Sequence, residues 1–163
     1  MWTTIKLMRE IVMNRFMQMA IKEAQKGITL GHGGPFGSVI VKDGKVISKG
    51  HNRVVANNDP TCHGEVDAIR RACKKLKTFD LTGCEIYTTS YPCPMCFCAN
   101  LWANIEKIYY GCNTADSEII GFRDKAFEEE IPQKMLDICE EVNRKECLDL
   151  FEHYNKIQDK TMY

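Results

Sequence analysis

The sequence predicts an α/β sandwich, a central sheet flanked by helices, on three observations. Two β-branched runs, Ser38 to Lys42 and Lys45 to Ser48, are joined by Asp43-Gly44, the strongest short hairpin signal. Behind the hairpin the pattern alternates helix, strand, helix, strand, which places helices against a sheet. The chain has 163 residues, 44% hydrophobic and 27% charged, which suits one globular domain able to build its core without disulfides.

The elements follow in order. From about Lys6 to Lys26, Met13, Met17, Ala20, Ile21 and Ala24 recur at helical spacing, and Gly27 is placed to stop the helix. A glycine-rich turn (Gly31, Gly33, Gly34, Pro35) leads to the hairpin. The polar loop Asn57-Asn58-Asp59-Pro60 then enters a second helix near Thr61, with Val66, Ile69, Cys73 and Leu76 as its buried stripe. Glu85 to Thr89 reads as a strand. Pro94 sits at a first helical position, where its missing N–H does no harm, and opens a third helix carrying Leu101 and Trp102. Lys107 to Gly111 is the next strand. Met135 to Val142 is ambiguous, with helix preferred. Glu146 to Ile157 is an amphipathic helix with Cys147, Leu150, Phe151, Tyr154 and Ile157 along one side. No repeat, low-complexity tract or linker interrupts the chain, so residues 1–163 are read as a single domain.

Composition narrows the function. Lys and Arg number 22 against 22 Asp and Glu, so there is no bulk field for nucleic acid, and such a partner is disfavoured. No run approaches the ~18 apolar residues of a membrane helix, so no membrane partner is expected. Met1 to Ala24 mixes charge with Met and Ile and lacks the apolar core and cleavage site of a signal peptide, so a cytoplasmic location is expected. Nine cysteines, an odd and unevenly spaced set, make a poor disulfide framework. Cys73, Cys84, Cys139 and Cys147 are read as buried apolar residues. Cys62 and Cys98 are read as core packing, with a contact to the metal's surroundings as the alternative.

Chemistry concentrates at two helix starts. His63 and Glu65 stand in His63-Gly64-Glu65, and Cys93 and Cys96 stand in Pro92-Cys93-Pro94-Met95-Cys96. The two-residue spacing lets both sulfurs reach one metal from a single turn, and the positive helix end favours thiolates. His63, Cys93 and Cys96 give three ligands for Zn2+ and leave the fourth tetrahedral position for water, as catalytic zinc requires. Glu65 is then the base that takes a proton from that water and hands it on. Either half alone would be weak, since Cys-x-x-Cys also serves redox pairs and single histidines are usually structural.

His-x-Glu followed by Pro-Cys-x-x-Cys is the zinc deaminase signature. At these residues the chain resembles the cytidine deaminase superfamily, and more closely the small bacterial guanine deaminases. The resemblance runs roughly from Gly33 to Phe122 plus the last residue. Its pieces are Gly33-Gly34-Pro35-Phe36-Gly37-Ser38-Val39-Ile40-Val41, Asn52, Asn58-Asp59-Pro60-Thr61, the two zinc halves, Asp116, Ile120-Gly121-Phe122 and Tyr163. It implies a mixed sheet of about five strands between helices, and a homodimer that exchanges its C-terminal segment, about 143–163. It implies hydrolytic deamination of a free purine base, most closely guanine to xanthine and ammonia. It also implies roles: His63, Cys93 and Cys96 on zinc, Glu65 as proton shuttle, and Asp116 as a second carboxylate on the base. Asn52 would hold the purine edge, Phe36 and Trp102 would wall the base, and Tyr163 would close a pocket. Phe36 and Trp102 could equally be core residues, Asn52 a turn residue, Asp116 a helix cap and Tyr163 a solvated chain end.

Three departures surround the pocket. Gly64 stands where the family usually has alanine and Tyr91 where it usually has glutamate, and an extra residue falls between Thr114 and Asp116. They bear on substrate more than on chemistry, so a related deaminase of tRNA adenosine, cytosine or an aminotriazine is the competing expectation. A non-catalytic zinc module of the same fold is the competitor from another class.

Overall fold

Asp43 and Gly44 both take positive φ, 49° and 70°, the twist of a two-residue hairpin turn. They join β1 (Gly37–Lys42) to β2 (Lys45–His51), which pair antiparallel as expected. The computed structural model describes residues 2–159, apart from the side chains of residues 2–14, 128 and 134–137. The chain begins with α1 (Trp2–Thr29); after the hairpin come α2 (Val54–Asn57), α3 (Gly64–Leu76), β3 (Cys84–Ser90), α4 (Pro94–Trp102) and β4 (Lys107–Cys112). Three helices follow, α5 (Thr114–Ile119), α6 (Asp124–Ile138) and α7 (Arg144–Asn155).

The sheet order is β2-β1-β3-β4, with β1 antiparallel to β3 and β3 parallel to β4. It is the expected mixed sheet, but with four strands among the described residues, not about five. The chain beyond β4 starts a helix at once, because Asn113 and Asp116 form a reciprocal capping box.

Strand alternation divides the core between two layers. Val39, Val41 and Tyr87 meet Phe16 and Ala20 of α1 on one face. Ile40, Ile86 and Cys84 meet Ala68 and Ala72 of α3 on the other. The stripe of α3 therefore differs from the expected one: Val66, Ile69 and Cys73 are only half-buried and Leu76 is exposed. The cause is a close approach. A Cβ on Gly50 of β2 would lie 2.4 Å from the Ala68 nitrogen, so only small residues fit between helix and sheet.

Gly27 does not stop α1. The helix runs on to Thr29, and Gly27 lies against His51, where a Cβ would meet the ring at 2.7 Å. Cys84 is buried as expected, but Cys139 and Cys147 are exposed, because they belong to the helical tail outside both core layers. The ambiguous stretch is helical only to Ile138. The apolar side of α7 is present, yet no residue of this helix is buried.

Candidate active site

The pairing registers bring four chain segments to one end of the sheet. Gly37, at the start of β1, lies opposite His51, at the end of β2, and β3 ends on Ser90 beside them. Phe36, Asn52 and the Ser90–Cys93 segment therefore meet where α3 and α4 begin. His63 and Cys93 are the N-cap residues of these two helices, both in extended backbone, and Pro94 follows Cys93 at the first helical position. Cys96 comes one turn on.

The donor atoms of His63, Cys93 and Cys96 lie within 4.8 Å of one another, with His63 Nδ1 3.6 Å from Cys93 Sγ. One imidazole and two thiols in such a cluster fit a tetrahedral zinc with one position left open. A hydrogen bond from the Cys96 thiol, with His63 next to it, pulls Cys93 down to about 4, while the same hydrogen bond and burial push Cys96 up. The hydrogen bond with the Cys93 sulfur raises the His63 imidazole above its usual range.

Glu65 is buried beside this cluster, and burial raises its carboxyl above the usual carboxylate range. A buried hydroxyl chain holds it: Ser38 Oγ donates to Thr88 Oγ1 at 3.1 Å, and Thr88 Oγ1 donates to Glu65 Oε1 at 3.2 Å. His63, Cys93 and Glu65 face a cavity of about 30 Å³, and a chamber of about 400 Å³ shares His63, Cys93 and Asp124 with it.

Asn52 and Phe36 both line the cavity. The Asn52 amide N–H donates to the Phe36 carbonyl at 2.8 Å, and its side-chain oxygen accepts from the Val54 N–H at 3.2 Å. Trp102 stands at the C-terminal end of α4, 67% exposed and apart from the cavity lining, because that end points away from the ligand-bearing first turn. Asp116 is exposed. Its carboxylate accepts from the Asn113 N–H at 2.9 Å, and Asn113 Oδ1 accepts from the Asp116 N–H at 3.1 Å. This is the helix-cap alternative, and the second acid lining the cavity is instead Asp124, the first residue of α6. Tyr163 lies outside the described residues.

Sequence reasoning missed Asp124 and Ser90 and gave Phe122 no role, while Tyr91, expected near the pocket, lines the cavity. A signal for Asp124 was present: it follows Phe122 by two residues and opens a helix, as Glu65 nearly does in its own segment. Phe122 packs edge-on to Phe36 with ring centroids 4.7 Å apart. Cys62 is buried and its sulfur accepts from Asn57 Nδ2 at 3.3 Å, while Cys98 is exposed.

Comparison with known proteins points the same way. Residues 11–112 match the family model of the cytidine and deoxycytidylate deaminase zinc-binding region. Guanine deaminase of Bacillus subtilis is 46% identical over 116 residues, 71% of this chain and 74% of that protein. The tRNA-specific adenosine deaminase of Aquifex aeolicus is 44% identical over 95 residues, 58% of this chain and 62% of that protein. The crystal structure of the Bacillus subtilis guanine deaminase superposes with a TM-score of 0.84 at 38% identity, covering 92% of this chain and 98% of that one.

Proposed function

Because this chain belongs to the cytidine and deoxycytidylate deaminase family, we propose that it is a zinc-dependent aminohydrolase converting guanine and water to xanthine and ammonia. The observation that carries this reading is the buried Glu65 facing the same cavity as His63 and Cys93, which cluster with Cys96. A purely structural metal site has no use for that carboxylate. The guanine deaminase relative matches more of this chain than the tRNA enzyme does, and the balanced net charge supplies no bulk field that favours a phosphate backbone.

When bound, zinc lowers the pKa of a coordinated water to roughly 7 and so supplies the nucleophile. Glu65 would take a proton from the attacking water and deliver it to guanine N3 as oxygen adds to C2. It then carries the proton of the added hydroxyl to the amino group, which leaves as ammonia. Asn52, with a donor and an acceptor in one plane, holds the purine edge. Phe36 and Phe122 give the base an apolar wall. Asp124 takes the part of the second carboxylate, partner to the N–H donors of guanine. The chamber beside the cavity is of the size that small-molecule sites commonly have.

The same reading includes a homodimer that exchanges residues of about 143–163, with Tyr163 of one chain closing the other's pocket. What supports it is that Leu150 and Phe151 of α7 are exposed. A cytoplasmic location goes with a site whose thiols must stay reduced.

The test is ammonia release from guanine, adenine, cytosine, cytidine, ammeline and an adenosine-containing RNA hairpin, alongside metal analysis. Guanine leads if the reading holds. Activity on another substrate and none on guanine overturns the substrate and spares the chemistry. Glu65→Gln keeps its zinc and loses about 10²–10⁴-fold in turnover. Cys96→Ser loses the metal, and full metal content with unchanged activity there overturns the ligand assignment.

A further inference from the structure

The helix α5 docks by the wrong residues for a small surface helix. Its Ile119 and the following Ile120 face solvent, while its one buried residue is Ser117. Ser117 Oγ lies 2.8 Å from Ser90 Oγ, and both serines are buried. Ser90 is the last residue of β3 and lines the catalytic cavity.

Ser117 also holds what comes after it. Its carbonyl accepts from the Phe122 N–H at 3.0 Å, closing the turn through Gly121, whose φ is +91°. Phe122 then packs on Phe36, and Asp124 reaches the cavity two residues later. One residue thus fastens its side chain to the rigid sheet and its main chain to the segment that delivers the second acid. The serine pair is the polar anchor of this segment and the Phe122–Phe36 contact is the apolar one.

We propose that Ser117, through its hydrogen bond to Ser90, is a positioning residue that sets the Phe122–Asp124 turn against the catalytic cavity. It touches no substrate. Its effect runs through Asp124 and Phe122, and the kinetic part of its test rests on the guanine reading. Removing either hydroxyl leaves the other buried without its partner, so the two serines act as one unit.

The experiment compares Ser90→Ala, Ser117→Ala and the double variant, all zinc-loaded, by steady-state kinetics and by hydrogen exchange of backbone amides. Each single variant is expected to lose about tenfold in kcat/KM, the scale of a small misplacement of catalytic groups. The double variant loses no more than the worse single one. Amides of residues 121–127 exchange faster in each, while those of β3 and α3 do not change. Additive losses overturn the proposal. So does a loss in Ser90→Ala with none in Ser117→Ala, which makes Ser90 a direct substrate contact. Faster exchange throughout the chain assigns the pair to general stability and also overturns it. If no base is turned over even by the unaltered protein, the guanine reading fails, and the exchange pattern alone decides the role of Ser117. Should Ser117→Ala not fold, Ser90→Ala breaks the same bond and is read by the same exchange.

Discussion

His51 Nδ1 and Glu23 Oε1 stand 2.9 Å apart, pairing the end of β2 with α1 beneath a nearly fully buried imidazole. The other ring nitrogen lies 2.8 Å from His32 Nδ1, and the Asp67 carboxylate accepts from the His51 N–H. This cluster fixes the residue immediately before Asn52, so it supports the cavity without lining it.

Glu23→Ala leaves the His51 ring with a buried donor unmatched and is expected to destabilise by about 1–3 kcal/mol. Gly27→Ala tests the same contact from the other side. In an ordinary helix this change stabilises by about 1 kcal/mol. Here the added Cβ would lie 2.7 Å from the His51 ring, so the expected sign is reversed. Urea unfolding measures both, and a more stable Gly27→Ala protein would contradict the packing described.

Asp124→Asn and Asp116→Asn separate the two acids. The first is expected to lower kcat/KM by about 10–10²-fold, the scale of losing a charged hydrogen-bond partner of the base, with little change in melting temperature. The second keeps an amide oxygen to accept from the Asn113 N–H and removes only the favourable charge at the helix N-terminus, so it is expected to cost about 0.3–1 kcal/mol of stability before it costs activity. The opposite ranking in activity would return the catalytic role to Asp116.

Tyr87 gives a dependence on alkaline pH. Burial, and after it the Glu85 carboxylate, push its phenol up to about 12. The unfolded chain ionises this group near its ordinary value of about 10. The unfolded state therefore loses the proton first, and stability is complete below about pH 10 and falls as pH rises toward 12. Tyr87→Phe should flatten that alkaline limb in unfolding experiments. An unchanged limb would show that other groups control it.

Deleting residues 160–163 should raise the KM for guanine or abolish turnover while zinc and fold persist. Mixing the truncated chain with a Glu65→Gln chain then tests exchange. A crossing tail restores activity in mixed dimers, because one site combines an intact Glu65 with an intact tail. Mixed dimers without rescue would mean that the tail serves its own chain.

Local chemistry made much of the molecule legible. Asp43-Gly44 gave the hairpin, Pro94 the start of α4, and the Cys93 and Cys96 spacing one half of the candidate metal cluster, because each depends on residues close in sequence. What stayed hidden depends on approach between distant segments. The Ala68 and Ala72 face of α3 follows from the closeness of Gly50, and the position of Gly27 from His51. Asp116 and Asp124 are both acids early in a helix, and only the turn between them decides which one reaches the cavity. The strand count of about five came from the resemblance alone; the four strands described match the four strand patterns read from the residues.

The two helices that bear the ligands begin without the usual polar cap. Neither His63 nor Cys93 makes the side-chain cap hydrogen bond of its helix, although each occupies the position where Ser, Asp or Asn commonly does so, at about 1 kcal/mol apiece. Stability and activity are therefore opposed at these positions. A His63→Asp or Cys93→Ser chain gains a cap as it loses a metal ligand. Selection of variants for heat resistance alone would enrich inactive members at these two residues, and a lineage released from its catalytic duty has a downhill path to a sturdier, silent fold.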